Sequence, residues 1–203
     1  MLGRIRVLVT PALLRLGLML WRLGVTPNII TLTGLLLSLV APCFALLGEG
    51  SAVLALLVAS LVCDMLDGAV AKASGSSSPK GALLDSVSDR VEELMFALSI
   101  GLLGIDWVLL TLFLGTSFLI SYLRAIAIQH GVNLEGVGLM ERGERGLLTV
   151  ISLTLLIISQ QVYAKASMSV GVLLNVITVL ERLRSLSNCL KSSPHHRGKD
   201  VRI

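Results

Sequence analysis

Charged side chains are scarce in this chain: they make up 15% of its 203 residues, against 54% hydrophobic. With a mean hydropathy of +0.86, that scarcity excludes a soluble globular domain. It predicts an all-α, polytopic membrane protein folded as one compact bundle. Cysteine is scarce too. Cys43, Cys63 and Cys189 show no paired or CxxC spacing, and two of them lie in apolar runs where a thiol packs as a small hydrophobe. Neither a disulfide nor a thiolate metal site is expected. No internal repeat, heptad or collagen-like period is present. No nucleic-acid partner is expected. The net charge is only +4, so the placement of charge says more than its sum.

Acids are few in the apolar runs, with one exception. Asp64 to Asp89 reads DMLDGAVAKASGSSSPKGALLDSVSD, with four aspartates between long apolar stretches. A carboxylate inside a membrane segment is costly, so such residues are functional candidates by default. Asp64 and Asp67 are i and i+3; Asp85 and Asp89 are i and i+4. Both spacings stack side chains on one helix face. The Gly, Ser and Pro between the pairs predict a turn, hence a hairpin bringing all four carboxylates to one end. Four converging carboxylates beside apolar walls cannot all stay ionised without cations. Hard divalent ions take such oxygens. There are enough for two metals, Mg²⁺ or Mn²⁺, at the ~3.5–4 Å spacing used in phosphoryl transfer. The alternative is four separately solvated aspartates at helix ends, which the scarcity of acids elsewhere disfavours.

Residues 1–24 carry Arg4, Arg6, Arg15 and Arg22 among Leu, Val and Trp21. Arg15 and Arg22 interrupt what would otherwise resemble a signal peptide. An amphipathic helix lying in the membrane interface fits better. GVTPNIIT, Gly24 to Thr31, can start a helix, with Thr26 or Asn28 as cap and Pro27 in the first turn. Six spans are predicted near 29–47, 52–73, 81–103, 107–128, 146–162 and 167–183. The chain divides into a juxtamembrane helix (1–24), a six-helix domain (25–190) and a flexible basic tail (191–203). His195 and His196 in the tail are not read as ligands. One side of the membrane collects the N-terminal arginines, Lys72, Lys80, Arg124, Arg142, Arg145, Arg182, Arg184 and Lys191; the other has only Lys165. Basic residues mark the cytoplasmic side, so both termini and the aspartates are expected there, within one or two turns of the loop. Such a site suits an enzyme of the cell membrane that joins a lipid to a water-soluble substrate.

Gly68, Ala69, Ala71, Ala73 and Gly75 offer almost no side chain. Close helix packing is one reading. At Gly68, next to Asp67, the missing side chain could instead admit a flat nucleotide. Lys72 could meet a phosphate as a point charge, or snorkel at the helix end. Arg90, Glu92 and Glu93 are expected to pair with one another or line a polar cavity. Glu93 is i+4 from Asp89, within reach of the metals from behind.

These residues resemble the signature of the CDP-alcohol phosphatidyltransferases, D-x2-D-G-x2-A-R-x8-G-x3-D-x3-D. Asp64, Asp67, Gly68, Ala71, Lys72, Gly81, Asp85 and Asp89 stand at its spacings, with Lys72 where the family has arginine. The resemblance implies six spans, a cytoplasmic interfacial N-terminal helix and a homodimer. It implies that Asp64, Asp67, Asp85 and Asp89 hold two divalent ions and that Asp89 is also the catalytic base. It implies a CDP-lipid site of Thr26, Pro27, Asn28, Ile29, Gly68, Ala71, Lys72, Ser78 and Gly81. GVTPNIIT, SYLRA, GLMERGERG and VITVLERL resemble the family's synthases of inositol-phosphate lipids. There, basic residues at the positions of Arg124, Arg142 and Arg182 surround the acceptor phosphate. Three arginines from three elements could bind a dianionic phosphate; positive-inside charge alone is the other reading. Arg145 and Arg184 are read as helix-end residues or dimer contacts. The implied reaction moves the phosphate group of a CDP-linked diacylglycerol or archaeol to inositol phosphate and releases CMP. Glycerol 3-phosphate is the alternative acceptor. A cation channel or transporter is the reading from another class, but no repeated half supports it.

Overall fold

The computed structural model describes residues 3–76 and 78–192. Its helices begin and end where local chemistry directs. α1 (Gly3–Arg22) leads to α2 (Pro27–Leu46), where Pro27 occupies the first turn after an extended Thr26. There proline's fixed φ and missing N–H cost nothing. Thr26 holds the N-cap position, but its side chain makes no capping bond. α3 (Gly50–Ser74) ends at Gly75, whose φ of 64° is the left-handed stop that glycine adopts without strain. α4 (Pro79–Leu102) is capped by Ser78, whose Oγ accepts from the Gly81 N–H at 3.1 Å. α5 (Trp107–Gln129) is capped by Asp106 through the Leu109 N–H at 3.0 Å. α6 (Arg142–Ile157) and α7 (Gln161–Ser192) follow.

The described residues contain no strand. α2, α3, α5 and α7 are long and apolar enough to cross a membrane. α4 carries Asp85, Asp89, Arg90, Glu92 and Glu93, and α6 has only 16 residues, so hydropathy and length single out neither. The last two helices differ from the spans predicted at 146–162 and 167–183. α6 starts earlier because the polar turn from Arg142 to Arg145 is helical, its charges met by α4. It ends earlier because the chain reverses at Ser159, φ 62°. α7 continues through Lys191 and Ser192. The rest of the expected tail, with His195 and His196, lies outside the described residues.

α2 packs against α3 and α4, and α1 against α3; α5 and α6 both pack on α7. Contacts of α3 with α6 and of α4 with α5 join the two groups. The apolar core between them includes Val53, Leu57, Ile100, Phe113, Leu153 and Met168. Gly17 is buried where α1 crosses α3: a Cβ there would stand 2.9 Å from the Ala69 carbonyl. Arg15 and Arg22 remain exposed on α1. Short turns make neighbouring helices alternate in direction. The starts of α2, α4 and α6 thus share one end of the bundle with the finishes of α3, α5 and α7.

Candidate active site

At that end, carboxylate oxygens of Asp64, Asp67 and Asp85 all lie within 4.8 Å of one another. Asp67 and Asp64 stand about two and about three turns before the end of α3, at 3.6 residues per turn. Asp85 and Asp89 stand at matching depths from the start of α4. The site is thus somewhat deeper than one or two turns from the loop. Asp67 is buried and accepts from the Thr31 hydroxyl at 2.7 Å. Arg90 Nη1 reaches Asp89 Oδ2 at 3.2 Å.

A cation already stands among these acids. Arg142, at the first turn of α6, contacts Asp64 and Asp89, and its Nη2 lies 3.1 Å from Glu92. Carboxylates from two helices, all oxygen donors, gathered about a positive group are the donor set that hard divalent ions take. The residues therefore fit a divalent metal, with Asp64, Asp67 and Asp85 as the group that would hold it.

One turn along α6, Arg145 is 4% exposed. Its Nε and Nη2 donate to Glu93 Oε1 at 3.0 and 2.6 Å, and its Nη1 to the Met140 carbonyl at 3.2 Å. Glu92 and Glu93 thus pair with arginines of α6 and not with each other or Arg90. Arg145 stands in the first turn of α6, a helix end as expected, and its guanidinium is bonded inside the bundle to Glu93 and Met140. Below the aspartates, Glu92, Glu93, Arg142 and Arg145 line a small cavity of about 40 Å³, with Phe96 and Phe113 also in its wall.

The residues expected around a nucleotide partly assemble. Asn28 Oδ1, Ser78 Oγ and Gly81 come together where α2 and α4 begin. Gly68 has open space where a Cβ would project. Lys72 is exposed in the last turn of α3, Ala71 is half-buried, and Thr26 and Pro27 flank the start of α2. Ile29 is 52% exposed on α2. The three arginines expected around an acceptor phosphate are differently employed. Arg124 is exposed on α5 and Arg142 lies among carboxylates. Arg182 is buried and donates to the Val137 and Ile120 carbonyls at 3.0 and 2.8 Å. Its charged neighbours are Glu141, Arg124 and Arg145. Sequence reasoning missed Thr31 as a partner of Asp67. The available signal was its place in GVTPNIIT, one turn beyond Pro27.

An aspartate hairpin of this spacing on an all-helical bundle defines a class. The chain belongs to the CDP-alcohol phosphatidyltransferase family, whose profile matches residues 24–180. Among its relatives, the archaetidylinositol phosphate synthase of Pyrococcus horikoshii is 37% identical over 155 residues, covering 75% of this chain and 81% of that one. That of Aeropyrum pernix is 34% identical over 162 residues, 80% of this chain and 83% of that one. The crystal structure of Mycobacterium tuberculosis phosphatidylinositol phosphate synthase in complex with manganese and citrate superposes with a TM-score of 0.73 at 26% identity, covering 93% of each chain. The same enzyme with CDP-DAG bound gives 0.75 at 24% identity, covering 94% of this chain and 98% of that one, and shows the shared fold. The protein is thus a phospholipid-synthesising transferase of membrane type that works with divalent metal.

Proposed function

We propose that this enzyme transfers the phosphatidyl or archaetidyl phosphate group of a CDP-lipid to a hydroxyl of inositol phosphate, releasing CMP. The observation that carries the reading is the convergence of Asp64, Asp67 and Asp85, with Asp89 joined to Asp64 through Arg142. The acceptor follows the relatives, which are inositol-phosphate lipid synthases by name. Asp64, Asp67, Asp85 and Asp89 hold two divalent ions, Mg²⁺ or Mn²⁺. Those ions, when bound, offset charge on the pyrophosphate and acidify the acceptor hydroxyl. Asp89 takes the hydroxyl proton as the acceptor oxygen bonds to the β-phosphorus. The bond from that phosphorus to the CMP oxygen breaks, and CMP leaves. Thr26, Pro27, Asn28 and Ile29 with Gly68, Ala71, Lys72, Ser78 and Gly81 line the CDP side; the gap at Gly68 leaves room for a flat base. Arg142, Arg124 and Arg182 form the basic acceptor side.

In this reading α4 and α6 complete six spans, shielded by the four apolar helices. α1 lies at the interface, domain 25–190 is one unit, and the site faces the cytoplasm of a homodimer in the cell membrane. Glycerol 3-phosphate presents the same phosphate to these arginines, so the two acceptors are separated by assay. The test is CMP release by purified protein with CDP-lipid, Mg²⁺ and, in parallel, inositol phosphate, inositol and glycerol 3-phosphate. Release with inositol phosphate alone, lost in EDTA, is expected. Release with glycerol 3-phosphate alone overturns the acceptor and keeps the aspartate chemistry.

A further inference from the structure

α6 begins without a cap of its own. Glu141 occupies the N-cap position, but its side chain makes no capping bond; Glu141 Oε1 accepts instead from the Gly136 N–H at 2.9 Å. Along its length α6 packs on α7 and α3, with Gly146 set close against Leu61. Something else must fix its first turn relative to α4, where Asp85 and Asp89 sit. Arg145 supplies that link. It joins Glu93 of α4 through two nitrogens and the preceding loop through Met140, and it is almost wholly buried. Arg142, one turn earlier on the same face, is thereby aimed at Asp64 and Asp89. Glu92 and Glu93 are sequence neighbours and so point about 100° apart on α4. They grip the two arginines from different directions, which resists both rotation and sliding of the α6 start.

We infer that Glu93 is a positioning residue of the transfer reaction. It acts through Arg145 to hold the first turn of α6 so that Arg142 faces the aspartates and the acceptor. Glu93 itself touches neither substrate. Its second oxygen, Oε2, is buried without a hydrogen-bond partner, so among the described residues the carboxylate is held by Arg145. The inference rests on the proposed reaction, because it is Arg142's approach to the acceptor that Glu93 would control.

The experiment is a separation of Michaelis constants. Glu93→Gln keeps the shape and removes the charge that Arg145 answers. Its acceptor KM should rise roughly tenfold while its CDP-lipid KM stays within about twofold of wild type, the signature of a loss confined to one substrate. Exchanging the pair, Glu93→Arg with Arg145→Glu, should restore much of the acceptor KM. Should Glu93→Gln fail to fold, Glu93→Asp shortens the same arm and is expected to move the acceptor KM in the same direction. Both KM values rising together, or an unchanged acceptor KM in a folded variant, overturns the inference. Wild-type protein that releases CMP only with glycerol 3-phosphate overturns the proposed acceptor instead; the same split is then read with that substrate. Release with no acceptor overturns both.

Discussion

Arg142 and Asp89 are in contact, yet removing each should show in a different measurement. Asp89→Asn keeps the shape and removes the proposed base. Turnover should fall at least about a thousandfold, while CDP-lipid binding, followed by calorimetry in detergent, survives. Retained turnover would take the base role away from Asp89. Arg142→Gln leaves Asp64, Asp89 and Glu92 facing one another without their cation. Breaking such a pair costs about 3–5 kcal/mol when fully buried, and less here because the arginine side chain keeps 23% exposure. The variant should therefore melt several degrees lower in EDTA, and Mn²⁺ should raise its melting temperature more than it raises that of wild type. Equal metal-induced shifts would mean that Arg142 does not share the metal's ligands. The aspartates were legible in the sequence because i+3 and i+4 spacing is a local property of any helix. The employment of Arg182 was not. An arginine near a helix end reads the same in sequence whether or not its guanidinium meets a backbone carbonyl such as that of Ile120.

At the scale of elements, the connection between α5 and α6 is held from α7. Thr178 Oγ1 accepts from the Leu139 and Met140 N–H groups at 3.1 Å each, and Arg182 reaches Val137. Gly138 packs against Thr178 at φ 101°, where a Cβ would come within 2.3 Å of its methyl group. Arg182→Met removes both carbonyl contacts of the arginine. It should cost about 2–4 kcal/mol, since hydrogen bonds from charged donors are worth more than neutral ones. Thermal melting checks the stability loss, and limited proteolysis should report cleavage near residues 131–141. An unchanged digestion pattern would show that Thr178 alone secures the loop. Most helices were readable from apolar length, and the Gly, Ser and Pro turn between the aspartate pairs marked where α3 stops and α4 starts. The start of α6 was not, because Arg142 to Arg145 looks like a loop until Glu92 and Glu93 are placed opposite.

For the whole molecule, the uneven helix lengths govern how it meets a bilayer. α6 rises only about 24 Å at 1.5 Å per residue. The hydrocarbon layer is about 30 Å thick. α7, with 32 residues, is twice as long as α6. Composition alone announced a membrane bundle, but it could not show this inequality, since hydropathy sums over residues and not over neighbours. In the six-span reading, the mouth beside Arg142 lies beneath the level at which the surrounding helices emerge. Reconstituted into vesicles, the enzyme should work faster in short-chain than in long-chain lipid, by about two- to threefold, because mismatch is relieved in a thin layer. CMP release per folded enzyme checks it, and a rate independent of chain length would mean that α6 does not set the local thickness. A sunken mouth of this kind makes the enzyme a dimple in the leaflet. A lipid drifting sideways would slip its headgroup into the dimple without climbing out of the membrane, so supply of the donor would be a matter of lateral diffusion in two dimensions.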